Sequence, residues 1–161
     1  MCDYSLMCIP NRLARDREEL VMHRFPTGSL GFASPADLYQ AVGAVEARSQ
    51  GFWRALRSFF APPKISNVPA VCIPPGARLR LQEIPKRLQM DLGVGPAEEV
   101  TFTQLTAAVN TYRDAVRFKN GYRVRLQDLS EGVRAKVLDL SLAEEFEPFQ
   151  EERSRAIFGI R

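Results

Sequence analysis

Residues 116–125 read Val116-Arg117-Phe118-Lys119-Asn120-Gly121-Tyr122-Arg123-Val124-Arg125. Two runs that mix β-branched, aromatic and charged residues flank an Asn-Gly pair, which predicts a β-hairpin. A loop of Asn-Gly alone would pair Phe118 with Arg123 and would mix polar and apolar side chains on both faces. A three-residue loop that ends with Gly121 in the left-handed region pairs Phe118 with Tyr122 instead. We therefore predict the three-residue loop.

This register places arginines on one face of the hairpin. Val116 then lies opposite Val124 on the apolar face, and the other face carries Arg117, Arg123 and Arg125. Arg117 would lie directly opposite Arg123, which is unfavourable unless an anion covers the pair. The pattern predicts a negatively charged occupant: the chain's own acidic run 144–152, a phosphate-bearing ligand or a nucleic acid.

A second strand has the same alternation. Arg78 and Arg80 alternate with Leu79 and Leu81, and Lys86 and Arg87 follow shortly after. Period-2 alternation predicts a half-buried strand with its arginines in solvent. We expect these basic residues to join the arginines of the hairpin on one sheet face.

Further strands and turns are predicted on both sides of these two. Apolar and β-branched runs predict strands at 4–9, 19–25, 70–73 and 100–103. Pro26-Thr27-Gly28 and Pro74-Pro75-Gly76 predict turns, the second of them between strands of one sheet. No prediction is made for 104–113.

Two helices are expected. Ser34 and Pro35 are typical of a helix start, and apolar residues then recur at helical spacing until Pro62-Pro63 ends the pattern. Ser141 followed by Glu144 is a capping-box pattern that predicts a last, acidic helix.

The helix that begins at Ser34 contains an aromatic and basic run at 52–60. Most such aromatic stripes belong to a core, but this apolar surface exceeds what one helix face needs for packing, which makes contact with a protein or a membrane surface the alternative. The candidate contact residues are Phe52, Trp53, Leu56, Phe59 and Phe60.

Composition restricts the class of protein. The 161 residues suit a single domain over 1–161, 45% hydrophobic residues suit a soluble globular protein, and a net charge of +3 is too small for general attraction to nucleic acid. Neither a secretory signal nor an apolar run of transmembrane length is present in the sequence. A cytoplasmic location is expected, where the three cysteines would stay reduced.

The cysteines suggest an alternative chemistry. Cys8-Ile9-Pro10 and Cys72-Ile73-Pro74 are identical triplets, and Cys2 could become an N-terminal nucleophile if Met1 were removed. Cys2, Cys8, His23 and Cys72 supply the ligand count of a tetrahedral zinc site, although their spacing lacks a C-x-x-C pair. Cysteines that pack as small hydrophobes are favoured over this zinc site.

Three parts of the chain resemble a group of uncharacterised small bacterial proteins that begin with the same residues. The resembling parts are 1–6, 70–76 and 114–138, about half of the chain. The resemblance implies a β-rich core, with 36–66 as an insertion. It also implies that Met7, Tyr112 and Arg113 replace histidines of the group, so that side chains able to bind metal or move protons have been lost.

These observations predict an α+β fold. We expect a small mixed or mostly antiparallel sheet that can curl into a barrel, an inserted helical element at about 35–61 and a C-terminal helix. The favoured function is that of a non-enzymatic binding or accessory subunit without cofactor, which contacts another protein through the aromatic-basic helix, the arginine face or both. The alternative is a metal-binding or redox protein built on Cys2, Cys8 and Cys72.

Overall fold

The computed structural model describes residues 6, 8–46, 68–106, 108 and 111–141, with residues 42–46 described by their backbone alone. The strands are β1 (Asn11–Leu13), β2 (Glu19–Arg24), β3 (Leu30–Ala33), β4 (Ala70–Cys72), β5 (Arg78–Gln82), β6 (Glu98–Gln104), β7 (Asp114–Phe118), β8 (Arg123–Arg125) and β9 (Arg134–Asp139). The helices are α1 (Pro35–Glu46) and α2 (Lys86–Leu92), and a 3-10 turn follows β8 at Leu126–Asp128.

Seven of these strands form one antiparallel sheet in the order β3-β2-β9-β5-β6-β7-β8, which curls into a half-barrel. β1 and β4 form a separate parallel pair, in which Asn11 lies opposite Ala70 and Leu13 opposite Cys72. The predicted α+β class with a mostly antiparallel sheet is confirmed.

The hairpin of β7 and β8 has the predicted register. Val116 lies opposite Val124, and the Phe118 N–H donates to the Tyr122 carbonyl oxygen at 2.8 Å. Gly121 has φ +91°, which a residue with a side chain rarely adopts. The three-residue loop is therefore confirmed.

The inward face of the half-barrel holds the larger of two apolar clusters. Its members come from every strand of the sheet and are at most 8% exposed; they include Leu20, Met22, Phe32, Leu79, Leu81, Val100, Phe102, Val116, Phe118, Val124, Ala135 and Val137. A smaller cluster lies on the opposite side of β3 and receives α1; it contains Leu6, Ile9, Phe25, Ala33, Val68 and Ala70. β3 is consequently buried on both faces.

The strand predicted at 4–9 is wrong for the residues that the structure describes. Leu6 and Ile9 lie in a tight turn, in which the Ile9 N–H donates to the Leu6 carbonyl oxygen at 3.0 Å. A strand would direct side chains three residues apart to opposite faces, whereas this turn buries both in the smaller cluster. The strand begins after Pro10 instead, as β1.

Pro74-Pro75-Gly76 forms the predicted turn, but it connects two sheets. The Ala77 N–H donates to the Pro74 carbonyl oxygen at 3.2 Å, and Gly76 has φ +90°. β4 pairs with β1, whereas β5 pairs with β6 and β9. The expectation of neighbouring strands in one sheet is wrong because the partner of β4 lies near the N-terminus.

A side chain connects the two ends of the curled sheet. Gln127, in the turn after β8, accepts a hydrogen bond from the Leu30 N–H at 2.9 Å and donates one to the Leu30 carbonyl oxygen at 2.7 Å. Leu30 begins β3, the strand at the other end of the sheet. The amide of Gln127 therefore satisfies backbone groups that another strand would otherwise pair.

An ion-pair network holds β1 to the start of α1. The guanidinium of Arg12 donates to both carboxylate oxygens of Glu18, and its Nη2 lies 3.3 Å from Asp37 Oδ2 in the first turn of α1. The Arg15 N–H also donates to Glu18, at 2.9 Å. Burial acts to raise the pKa of Glu18, but the hydrogen bonds from Arg12 and Arg15 outweigh burial, and the pKa is lowered from its ordinary value of 4.5.

This lowered pKa predicts an acid-sensitive contribution to stability. A carboxyl whose pKa is lower in the folded state stabilises the fold above its unfolded pKa, and this contribution disappears as the pH falls through the folded pKa. We expect the natural chain to lose stability below about pH 4.5 more steeply than Glu18→Gln, measured by urea unfolding between pH 6 and pH 3. Glu19→Gln removes a neighbouring carboxyl without these hydrogen bonds and serves as the control. A Glu18→Gln curve parallel to that of the natural chain would contradict the prediction.

Candidate functional site

The outward face of the curled sheet is rich in basic side chains. Because side chains alternate along a strand, inward burial of the residues at 79, 81, 116, 124 and 135 places their basic neighbours on the outward face. We call the following eight residues the cationic face: Arg78, Arg80, Arg117, Lys119, Arg123, Arg125, Arg134 and Lys136. All are exposed except Arg117, which is half-buried.

Four residues of this surface form a transverse row. Arg78 lies opposite Thr101, Thr101 opposite Arg117, and Arg117 opposite Arg123. Adjacent strands are about 4.8 Å apart, so the row extends about 14 Å across β5 to β8. It aligns three guanidinium groups and one hydroxyl across the strands.

Acidic side chains neutralise part of the cationic face. Lys119 Nζ lies 2.8 Å from Glu99 Oε2, Arg78 Nη2 lies 3.6 Å from Asp139 Oδ2, and Arg125 binds Asp128 at 2.7 Å. The hydrogen bond from Lys119 lowers the pKa of Glu99. Hydrogen bonds from Ser141 and the charge of Arg78 lower the pKa of Asp139. These two carboxyls are ionised at neutral pH.

A groove of about 370 Å³ is lined by three residues of the row, Arg78, Thr101 and Arg117. Its walls combine basic groups with the hydroxyl of Thr101 and the carboxylate of Glu99; the lining residues are Arg78, Glu99, Val100, Thr101, Arg117, Phe118, Lys119 and Gly121. Guanidinium and ammonium groups are hydrogen-bond donors that suit carboxylate or phosphate. This lining favours anion binding and includes neither histidine nor cysteine.

The structure brings together the five arginines that the sequence placed on the sheet. Arg78, Arg80, Arg117, Arg123 and Arg125 share the outward face. Lys86 and Arg87 lie in α2 instead, where Arg87 pairs with Asp91. The predicted contact residues Phe52, Trp53, Leu56, Phe59 and Phe60 lie outside the described residues, and their role stays a prediction.

Sequence analysis missed part of the cationic face. Lys119, Arg134 and Lys136 belong to it, and Thr101 completes the row. The signal for β9 was present, since Arg134 and Lys136 alternate with Ala135 and Val137. Nothing in the sequence indicated that β9 would pair with β5.

The proposed zinc ligands do not form a cluster in the described part of the chain. Cys8 is exposed and free, whereas Cys72 is buried and takes part in a disulfide, contrary to the expectation of reduced cysteines. His23 lies in β2, edge-on to Phe25 and with Nδ1 3.8 Å from Glu131. Within the described ranges, groups of three or more His, Cys, Asp or Glu that could hold a metal ion are absent. Cys2 lies outside those ranges.

None of the described helices has the length and apolar character that crossing a membrane requires. Comparison with known proteins found no matching family model, no matching curated protein and no matching solved structure. The resemblance to small bacterial proteins therefore stays a prediction.

Proposed function

We propose that the protein is a non-enzymatic binding module that docks an acidic segment of a partner protein across its cationic face. The observation that carries this proposal is the transverse row, in which Arg78, Arg117 and Arg123 are aligned across β5 to β8, with a groove along Arg78 and Arg117.

The interspersed acids favour a protein partner over nucleic acid. Glu99 and Asp139 lie beside the row and would repel a continuous phosphate backbone. A polypeptide can place carboxylates over the arginines and neutral or basic groups over these acids. Among the described residues, the outward positions of β5 to β8 carry none of the Phe, Tyr or Trp side chains on which bases stack.

Fluorescence anisotropy with a labelled decapeptide of alternating glutamate and serine tests the proposal. We expect the peptide to bind the natural chain in low salt, and binding to weaken at least tenfold for the double variant Arg117→Glu with Arg123→Glu. The affinity should also fall as salt is raised, because the contacts are exposed charge pairs.

Matched variants separate a binding effect from a folding effect. Arg87→Glu reverses one charge on α2, away from the cationic face, and should leave the affinity nearly unchanged. Arg117→Gln with Arg123→Gln removes the charge without introducing repulsion, and thermal unfolding checks that each variant is folded. The proposal is overturned if the natural chain and the folded double variants bind the peptide with equal affinity. It is also overturned if a single-stranded oligonucleotide of equal charge binds the natural chain more tightly than the peptide does.

A further inference from the structure

Basic residues of β5 and β7 form two walls on either side of β6. Arg78 and Arg80 are exposed on β5. Arg117 lies on β7, and Lys119 follows directly after that strand on the same outward side. Arg78 and Arg117 both lie opposite Thr101 of β6. Because adjacent strands are about 4.8 Å apart, the two walls are about 9.6 Å apart at the backbone, and the curl of the sheet opens them further on its outward side.

The floor between these walls belongs to β6. Thr101 is half-buried there, and Glu99 lies two residues away on the same side. The groove of about 370 Å³ is lined by residues of all three strands. The hydrogen bond from Lys119 lowers the pKa of Glu99, and the charges of Arg78 and Arg80 act in the same direction. Both walls therefore lie close enough to the floor to act on one carboxylate. We call this feature the β6 channel; its walls are Arg78, Arg80, Arg117 and Lys119, and its floor is Glu99 and Thr101.

A ligand in the β6 channel meets side chains. β6 pairs with β5 on one side and with β7 on the other, so the sheet itself uses the backbone N–H and C=O groups of this strand. Addition of a partner chain as a further strand requires the edge of a sheet, and the channel lies on a face. Binding in the channel therefore depends on charge pairs with the two walls.

The spacing of the walls matches an extended chain that lies along β6. Side chains of an extended chain point alternately to its two sides, and those on one side recur at about 6.7 Å. Arg78 and Arg80 have this same two-residue spacing, and so does the pair on the opposite wall, Arg117 and Lys119. Consecutive acidic residues would therefore reach the two walls in turn. A helix is about 10–12 Å wide with its side chains and would rest on top of the arginines, away from Thr101.

We propose that the β6 channel binds an extended run of consecutive acidic residues of the partner protein, aligned along β6. This inference rests on the proposed function, since it specifies the sequence and the direction of the docked segment. Its carboxylates pair alternately with the wall on β5 and the wall on β7. Arg123, which ends the transverse row on β8, lies one strand beyond the channel.

Two labelled decapeptides of identical composition test the arrangement of the acidic residues. One has four consecutive glutamates flanked by serines, and the other alternates the same four glutamates with serine. An extended alternating peptide directs all its glutamates to one side and reaches one wall only. In low salt, we expect the natural chain to bind the consecutive peptide about fivefold more tightly by fluorescence anisotropy, because two more exposed charge pairs form.

A pair of matched double variants tests the direction of the docked segment. Arg80→Gln with Lys119→Gln removes one charge from each wall and should weaken binding of the consecutive peptide about fivefold. Arg123→Gln with Arg125→Gln removes the same charge from β8, outside the channel, and should weaken binding less than twofold. Circular dichroism of each variant shows that the comparison is between folded chains.

The outcomes separate this inference from the proposed function. If the natural chain binds the alternating peptide as tightly as the consecutive one, or more tightly, the inference is overturned and the cationic face stays a partner site. A larger loss for the β8 double variant than for the channel double variant places the segment across the strands, which again overturns the inference alone. If neither peptide binds the natural chain, the proposed function fails, and the inference fails with it.

Discussion

Truncation of Phe102 to alanine is expected to lower the free energy of unfolding by about 3–5 kcal/mol, the largest stability effect we predict. Phe102 is 1% exposed, lies in β6 between β5 and β7, and faces the larger apolar cluster opposite Val116. Its removal loses buried apolar area and leaves a cavity that neighbouring strands cannot close without breaking their pairing. Urea unfolding should show a lower midpoint, and the melting temperature should fall by roughly 10 °C.

Thr103→Ala is the matched control for this substitution. Thr103 is the next residue of β6 and lies on the outward face, opposite Ala115. Its truncation should cost less than about 1 kcal/mol, since an exposed or half-buried position leaves no core cavity. If Phe102→Ala and Thr103→Ala lower the free energy of unfolding by similar amounts, β6 does not separate a buried face from an outward face.

Replacement of Gln127 by methionine is expected to cost about 2–4 kcal/mol, the second largest stability effect. Methionine keeps the length of the side chain but can neither accept from the Leu30 N–H nor donate to the Leu30 carbonyl oxygen. Leu30 is 3% exposed, and an unsatisfied buried polar group costs about 1–3 kcal/mol. The two ends of the curled sheet would lose the side-chain amide that connects them.

Amide hydrogen exchange localises this second effect. In Gln127→Met, the Leu30 amide should exchange faster, and its protection should fall more than that of the Phe102 amide in the centre of the sheet. Gln82→Met makes the same change at an exposed position of β5 and should be nearly neutral. Unchanged Leu30 protection would contradict the role of Gln127 in joining β3 to the turn after β8.

The local elements of this fold follow from local patterns. The loop of the β7–β8 hairpin was predictable because a shift of one residue would exchange its apolar and charged faces. The start of α1 was predictable because the first turn of a helix has backbone N–H groups without partners inside the helix. Serine at position 34 suits the cap of such groups, and Pro35 has no N–H that would lack a partner. The arginines of β5 and of the hairpin could be placed on strand faces because the alternation of buried and exposed side chains along a strand depends only on neighbouring residues.

α2 was missed although its pattern is also local. Leu88 and Leu92 are four residues apart, and Gly93 ends the helix in the left-handed region with φ +64°. Pro85, directly before the helix, is compatible both with a helix start and with the end of the preceding strand. This seven-residue helix has three apolar residues, Leu88, Met90 and Leu92, and their spacing of two residues does not separate helical from strand periodicity.

Strand order could be obtained from the tertiary structure alone. β9 lies between β2 and β5, and β1 pairs in parallel with β4 across more than fifty residues. Backbone hydrogen bonds are the same for every sequence, so alternation shows which face of a strand is buried but not which strand lies beside it. The sequence therefore determined which face of each strand is buried. Tertiary packing decided which strands lie side by side, because burial of apolar side chains in a curled sheet selects the pairing of strands. This pairing aligned Arg78, Arg117 and Arg123 in one row.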